Sequence, residues 1–472
     1  MLSLSASHPT VSATGPPRRL HGPADLGVNL LDEVVALLVQ PVYRALRRRH
    51  LVVVVRARLV LLVPQLDIRL RQPSNQGAKR LTHADTPDEV GHRRAGGRRL
   101  MTESNRRAPA ATTATAALFP PGAPFPPRVC VVMLSALGDV VHALPVVIAI
   151  KRHAPECRLT WILQPGPAQL VRGHRAVDEI VVFERRRGWR GFAELRRTLR
   201  TKPFDLVLDL QPYFKAGLIT WMTRAPVKLG LDYARARDLN WLFTTRRIPA
   251  RPLGHIQDQF LEFLDAVGVP RGEPEWGLAP TPEERAAARA IVAGAEGPLV
   301  GFVVATSKQA KNWLPERYAE VATRLAAERG ARCVLLGDTS PIERAAADAI
   351  LARTGAAPID ALGSGLRVTL GLFDACDVVV SPDTGPFHIC VAMNVPAVGL
   401  YGYTNPKRVG PYRRFGELVV DGYGDPGEDY SPAAGYRPGR MDRITTAQVL
   451  ERIGAALARY SPGAPWRRSR PG

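Results

Sequence analysis

Residues 128–150 read RVCVVMLSALGDVVHALPVVIAI. The first part is an apolar, β-rich run; it breaks at Ser135-Ala136-Leu137-Gly138-Asp139 and resumes with the apolar spacing of a helix. This pattern predicts a strand, a tight loop and a helix. Gly138 would let the backbone approach a ligand or take a positive φ, and Asp139 stands where the helix should begin, beside backbone N–H groups with no carbonyl partner. On spacing alone Asp139 reads as an N-cap, because aspartate is a favoured cap and open parallel sheets contain many such turns.

Outward from this unit, short β-rich runs keep alternating with helical patterns, which predicts a parallel α/β architecture. Strands are expected at 159–163, 179–183 and 204–210, the last carrying Asp209 and Gln211 at its end. Residues 185–200 (RRRGWRGFAELRRTLR) predict a basic amphipathic helix with Trp189, Phe192, Leu195 and Leu199 on its covered side. Its arginines are either a solvated face or a platform for an anionic acceptor. A helix over 255–267 and a Pro/Gly-rich linker over 270–282 close this half. The second half repeats the plan, with strands at 299–305, 331–336, 377–381 and 396–400 and helices at 315–328, 341–353 and 445–460. The expected organisation is two Rossmann-like domains, 127–272 and 283–440, with a C-terminal helix and tail over 441–472.

At 472 residues the chain is too long for one ordinary core. The net charge is +21, of which residues 1–126 contribute +10 and the remainder +11, so the expected globular part is basic too. That balance suits phosphate-rich partners such as nucleic acid, an anionic membrane face or a phosphorylated glycolipid. Cys130, Cys157, Cys333, Cys376 and Cys390 sit singly in apolar runs and read as reduced core thiols. The longest near-apolar segment, 51–63, is too short and too charged to span a bilayer. Residues 1–126 combine Arg-rich clusters, a lone LVVVVRARLVLLV and a Pro/Gly-rich end, without steady periodicity or a signal-peptide layout. They read as a low-order basic extension; the favoured explanation is an over-extended start, with Met101 as an alternative first residue, and the rival is a basic tail that binds membrane or nucleic acid.

Two further segments carry chemistry. Asp383-Thr384-Gly385-Pro386-Phe387-His388 follows a strand and opens a helix, so its N–H groups and dipole end suit a phosphate, with Thr384 and Gly385 as natural diphosphate contacts. In ATSKQAKNWLPERY, Thr306 and Ser307 precede Lys311-Asn312-Trp313 between a strand end and a helix, where a lysine could neutralise a nucleotide diphosphate. Dinucleotide, P-loop and zinc-protease motifs are missing, as is a convincing DxD metal loop.

Together, SALGDVVHALP, the D-[ST]-G-x-x-H pattern at 383–388 and the hydroxyl-rich turn before Lys-x-Trp resemble the glycosyltransferase family 9 heptosyltransferases over roughly residues 128–460. The chain departs from the family pattern in placing Leu314 between Trp313 and Pro315, which opens a choice between Lys308 and Lys311 in favour of Lys311. The resemblance implies a GT-B architecture, two Rossmann-like domains facing a cleft, and an inverting transfer of heptose from ADP-heptose to a lipopolysaccharide core or lipid A precursor. It places the general base on Asp139 and donor contacts on Thr306, Ser307, Lys311, Asp383, Thr384, Gly385 and His388. Gly138, Arg185, Arg186, Arg187 and Arg190 fall on the acceptor side, Asp383 would hold sugar hydroxyls, and Asp338 is a guess for the purine pocket. No cofactor, no metal and no nucleic-acid partner are expected, and the enzyme would work peripherally at the cytoplasmic face of the inner membrane. The rivals are a different donor or acceptor within the family, and a non-catalytic binding protein of the same fold.

Overall fold

The computed structural model describes residues 117–460. The expectations for residues 1–116, including the alternative start at Met101, lie outside the described residues, as does the tail beyond Tyr460. The first half runs β1 (Arg128–Val132), α1 (Leu137–His153), β2 (Arg158–Leu163), α2 (Pro165–Val171), β3 (Glu179–Val182), α3 (Gly188–Arg200), β4 (Leu206–Asp209), α4 (Phe214–Met222), β5 (Val227–Gly230), β6 (Arg246–Arg247) and α5 (Ile256–Val267). The second runs α6 (Pro282–Ile291), β7 (Leu299–Val303), α7 (Pro315–Arg329), β8 (Arg332–Leu336), α8 (Pro341–Leu351), β9 (Ile359–Asp360), α9 (Leu366–Ala375), β10 (Val378–Pro382), α10 (Gly385–Ala392), β11 (Ala397–Tyr401), α11 (Pro406–Val409), β12 (Val420–Asp421) and α12 (Thr446–Tyr460).

The strands form two six-stranded parallel sheets, ordered β3-β2-β1-β4-β5-β6 and β12-β11-β10-β7-β8-β9. Counted within its own half, each sheet has the order 3-2-1-4-5-6, so the winding reverses between β1 and β4 and again between β7 and β10. Helices cover both faces, which is why RVCVV, RLTWIL and VVVSP are near-continuous apolar runs rather than alternating ones. In an open parallel sheet a ligand binds outside the carboxyl ends of the strands at such a reversal. Each reversal here is flanked by loops that carry the sequence motifs.

Helix α1 is buried around its whole circumference from Val140 to Ile150, since it lies under the sheet and is also covered by α5 and α10. Its N-terminal end and that of α10 meet through two glycines. A Cβ on Gly138 would stand 2.8 Å from His388 Cδ2, and one on Gly385 would stand 2.8 Å from Leu137 Cβ. Gly138 has no positive φ. Its lack of a side chain admits a neighbouring helix rather than a turn.

Some boundaries move. Residues 117–126, which composition assigned to the extension, pack on the first half: Leu118 N–H donates to Ala266 O at 2.8 Å, and Phe119 meets Phe125 edge-on at 5.7 Å. The basic helix starts at Gly188, because Arg185–Arg187 form a separate 3-10 turn, and Trp189 is 52% exposed instead of covered. Phe192, Leu195 and Leu199 are buried as expected, and all five cysteines are free and buried. Among the described residues no helix is long and apolar enough to cross a membrane.

Candidate active site

Helix α1 takes its first turn from Leu137, with extended Ala136 as its N-cap. Asp139 is therefore three residues past the cap, and its Oδ2 accepts the Ala136 N–H at 3.1 Å. Asp139 is not the cap, yet it satisfies one backbone donor that a cap would otherwise leave open. Its side chain is only partly buried. Burial pushes the carboxyl above the ordinary carboxylate value, while the Ala136 N–H, His388 and Lys311 pull it down and Asp383 pushes it up. Asp139, on the first half, thus shares its electrostatic environment with three groups of the second half.

The loop beneath it is braced from β4. Gln211 Nε2 donates to Ser135 O at 2.6 Å, and Leu134 N–H donates to Gln211 Oε1 at 3.1 Å. Asn240 Nδ2 donates to Asp209 Oδ2 at 2.9 Å and to Gln211 O at 3.1 Å. Asp209 is fully buried, and burial raises its carboxyl to about 7 against the hydrogen bond from Asn240. These buried residues act through the loop.

On the second half, Lys311 Nζ donates to Asp383 Oδ2 at 2.7 Å and to Asp383 O at 3.1 Å. His388 Nε2 lies 3.1 Å from Asp383 Oδ1. Burial alone would raise the Asp383 carboxyl; the His388 hydrogen bond and the Lys311 charge outweigh it and hold the group well below the usual carboxylate range. Both Asp383 oxygens are thus engaged, one by Lys311 and one by His388, so this residue fixes both partners in place. An ammonium has three protons, so Lys311 keeps one N–H beyond the two given to Asp383.

The other sequence candidates separate in the same way. Thr306 is buried, and its hydroxyl donates to Lys308 O at 3.0 Å and accepts from Lys308 N–H at 3.1 Å, so it shapes the loop. Ser307 is exposed. Thr384 is the extended N-cap of α10 and Gly385 its first residue, pressed against Leu137. Trp313 is core, its indole N–H donating to Ile444 O at 2.9 Å. Asp338 is exposed after β8 and accepts its neighbour's N–H, from Thr339, at 2.8 Å. Arg185, Arg186, Arg187 and Arg190 are exposed beyond the carboxyl end of β3, the sheet edge that also carries the Asp139 loop. Arg187 pairs with Glu194 at 2.7 Å.

Sequence reasoning missed a histidine cluster at the contact between α1 and α10. His142 is buried one helical turn from Asp139, its ring centroid 4.5 Å from that of His388 and 6.0 Å from that of His255. Gln257 on α5 donates from Nε2 to His142 O at 2.8 Å, and its Oε1 lies 3.1 Å from His142 Nδ1. Burial, with His388 and His255 nearby, holds the His142 imidazole well below its ordinary value, hence neutral. The local signal was the i, i+3 spacing from Asp139. Nothing local pointed to Gln257.

The description "Glycosyltransferase family 9 (heptosyltransferase)" matches residues 192–423. The chain is 32% identical over 295 residues to the lipopolysaccharide core heptosyltransferase OpsX of Haemophilus influenzae, covering 62% of this chain and 84% of that protein. It is 31% identical over 309 residues to lipopolysaccharide heptosyltransferase 1 of Pseudomonas aeruginosa, covering 61% of this chain and 82% of that protein. Among solved structures, the family 9 glycosyl transferase of Veillonella parvula shares the fold with a TM-score of 0.61 at 23% identity, over 70% of this chain and 97% of that one. The Escherichia coli heptosyltransferase WaaC with ADP does so with a TM-score of 0.54 at 24% identity, over 71% and 99%. The chain belongs to glycosyltransferase family 9.

Proposed function

We propose that the protein is an inverting heptosyltransferase of lipopolysaccharide synthesis, moving heptose from ADP-heptose to the inner core at a lipid A acceptor bearing Kdo. The observation that carries the reading is the meeting of a carboxylate of raised pKa, Asp139, with the Asp383–Lys311–His388 group of the opposite half, each at a winding reversal of its sheet. The relatives' names supply the substrate class. In this GT-B reading the first half takes the acceptor and the second the donor.

Inversion needs one in-line displacement. Asp139 takes the proton of the attacking acceptor hydroxyl, the oxygen bonds to the anomeric carbon from the face opposite the leaving group, and the bond from that carbon to the diphosphate breaks. Charge then builds on the departing ADP. The remaining N–H of Lys311, the Ser307 hydroxyl and the N-terminal end of α10 at Thr384 and Gly385 meet it, in place of a divalent ion. Asp383 keeps the lysine aimed, and Thr306 keeps the loop in shape.

The test is incubation of the full chain with ADP-heptose and Kdo-bearing lipid A, followed by mass spectrometry. A gain of one heptose is expected. No gain on this acceptor, with a gain on a core that already carries heptose, would move the protein to a later step.

The acceptor is lipid-anchored and anionic, so the enzyme should meet it at the cytoplasmic face of the inner membrane. Basic side chains near such a surface contribute about 1 kcal/mol each, within a Debye length of ~8–10 Å. Exposed Arg185, Arg186, Arg190, Arg196 and Arg197, with half-exposed Trp189 among them, are the contacts we assign to it. Sedimentation with anionic vesicles should show binding that salt reverses and that arginine-to-glutamine changes remove, with ADP affinity unchanged. Binding indifferent to both would exclude α3 as the docking surface.

A further inference from the structure

Residues 255–259, His-Ile-Gln-Asp-Gln, open α5 and hold both halves of the molecule. Towards the second half, His255 Nε2 donates to Gly410 O at 2.9 Å, Asp258 Oδ1 accepts the Tyr412 hydroxyl at 2.6 Å, and Gln259 Oε1 accepts from Arg408 Nη2 at 2.8 Å. Towards α1, fully buried Gln257 meets both the carbonyl and the imidazole of His142. The turn that joins the halves therefore also holds the residue one helical turn from Asp139.

These bonds settle where the imidazole protons are. A carbonyl oxygen only accepts, so Gln257 turns its NH2 to His142 O, and its own oxygen then faces His142 Nδ1, which has to carry a proton. His142 Nε2 is buried and has no hydrogen-bond partner among the described residues. A second proton there would give a buried cation with an unanswered N–H, which costs more than a bare lone pair. His142 is thus held as the neutral Nδ1–H imidazole, in the direction that burial also drives it. His255 is held in the opposite neutral form: its Nδ1 accepts the Gln257 N–H at 3.1 Å while its Nε2 donates to Gly410. Of the three rings, among the described residues, His388 alone hydrogen-bonds to a carboxylate, that of Asp383.

The titratable groups around His142 are Asp139 on its own helix, His255 on α5, and His388 with Asp383 on the β10–α10 segment. The His142 and His388 rings are 4.5 Å apart at 60°, and His388 in turn lies against Gly138, the residue before Asp139. A charge on His142 would place a buried cation in ring contact with His388 and push α1 from α10 where the base meets the donor half. We propose that Gln257 is a positioning residue for the transfer, acting through His142: by holding that ring neutral it lets the α1 turn bearing Asp139 seat against His388. The assignment rests on the functional reading above, in which Asp139 is the base.

Nitrogen NMR of the full chain with its ten histidines labelled reads the tautomer directly, His142→Gln identifying the signal. In wild type the His142 ring should show a protonated Nδ1 and a bare Nε2 between about pH 5 and 8. Gln257→Glu gives the same nitrogen a carboxylate, which raises the His142 pKa and keeps the ring charged to higher pH. The acid limb of kcat should then move up by about one pH unit or more, making transfer about tenfold slower below it, and activity should return as pH rises. His142→Gln cannot be charged but loses the ring packed on His388; it should lower kcat about fivefold or more and leave the limb where it is. ADP affinity, by calorimetry, should stay within about twofold in both variants. A protonated Nε2 in wild type would overturn the proposal, as would a Gln257→Glu loss equal at every pH, the mark of a merely packed residue. If Gln257→Glu does not fold, His142→Gln decides: unchanged kcat or a vanished acid limb overturns the proposal. Wild type that transfers no heptose brings down the functional reading and this assignment together, whereas transfer with the wrong tautomer or an unmoved limb brings down this assignment alone.

Discussion

Asp139→Asn is expected to lower the rate of transfer by about 10²-fold or more while leaving ADP binding intact, because a positioned general base contributes roughly 10²–10⁴-fold. Asparagine keeps an oxygen for the Ala136 N–H, so the contact that steadies the first turn of α1, of order 1 kcal/mol, survives the change. What is lost is basicity alone. The wild-type pH profile carries the same information. Asp139 must be ionised to accept a proton, and burial places its pKa above the ordinary carboxylate value, so kcat/KM should fall as pH drops through that raised value. The residual activity of the asparagine variant should lack this acid limb. Near-normal turnover with the limb intact would reduce Asp139 to a helix-end residue.

Lys311→Ala should act on both rate and stability. The lysine's charge matters most when the diphosphate leaves, and removing one such donor costs about 10²–10³-fold in kcat. Asp383 is 7% exposed at its side chain and would remain behind as a buried carboxylate with only His388 beside it. Breaking a buried pair in this way costs about 3–5 kcal/mol, with the lower figure expected because the Lys311 side chain is 22% exposed. Urea unfolding and single-turnover transfer, measured on the same preparation, separate the two effects. Lys308→Gln, which changes an exposed side chain, should leave the urea midpoint where it is. A Lys311→Ala protein of wild-type stability would show that the pairing with Asp383 is not a support of the fold, and one of wild-type kcat would remove Lys311 from leaving-group stabilisation.

The sequence by itself determined the parallel α/β plan, the two repeats and the loops on which the candidate site was sought. Those features depend on local chemistry: continuous apolar runs for strands buried on both faces, helical spacing between them, and Gly, Pro, Ser and Thr where the chain turns. Spacing alone left Asp139 a helix cap and Lys311 a surface lysine; it was the resemblance of their motifs to the family that singled out Asp139, Lys311, Asp383 and His388. The tertiary structure decided what each one touches. Asp139 sits one turn inside its helix because extended Ala136 starts α1. Gly138 and Gly385 are needed where α1 and α10 come together, a contact between residues nearly 250 apart that no local pattern records. Trp313 is core and Trp189 is exposed, although both stand among polar residues in the sequence, because burial depends on which element lies opposite. Lys311 finds Asp383 across 72 residues, and His142 finds Gln257 across 115. Periodicity tells a chain which faces to cover; the choice of partner is made by the packing of whole elements, and so is every charge, tautomer and proton affinity at the site.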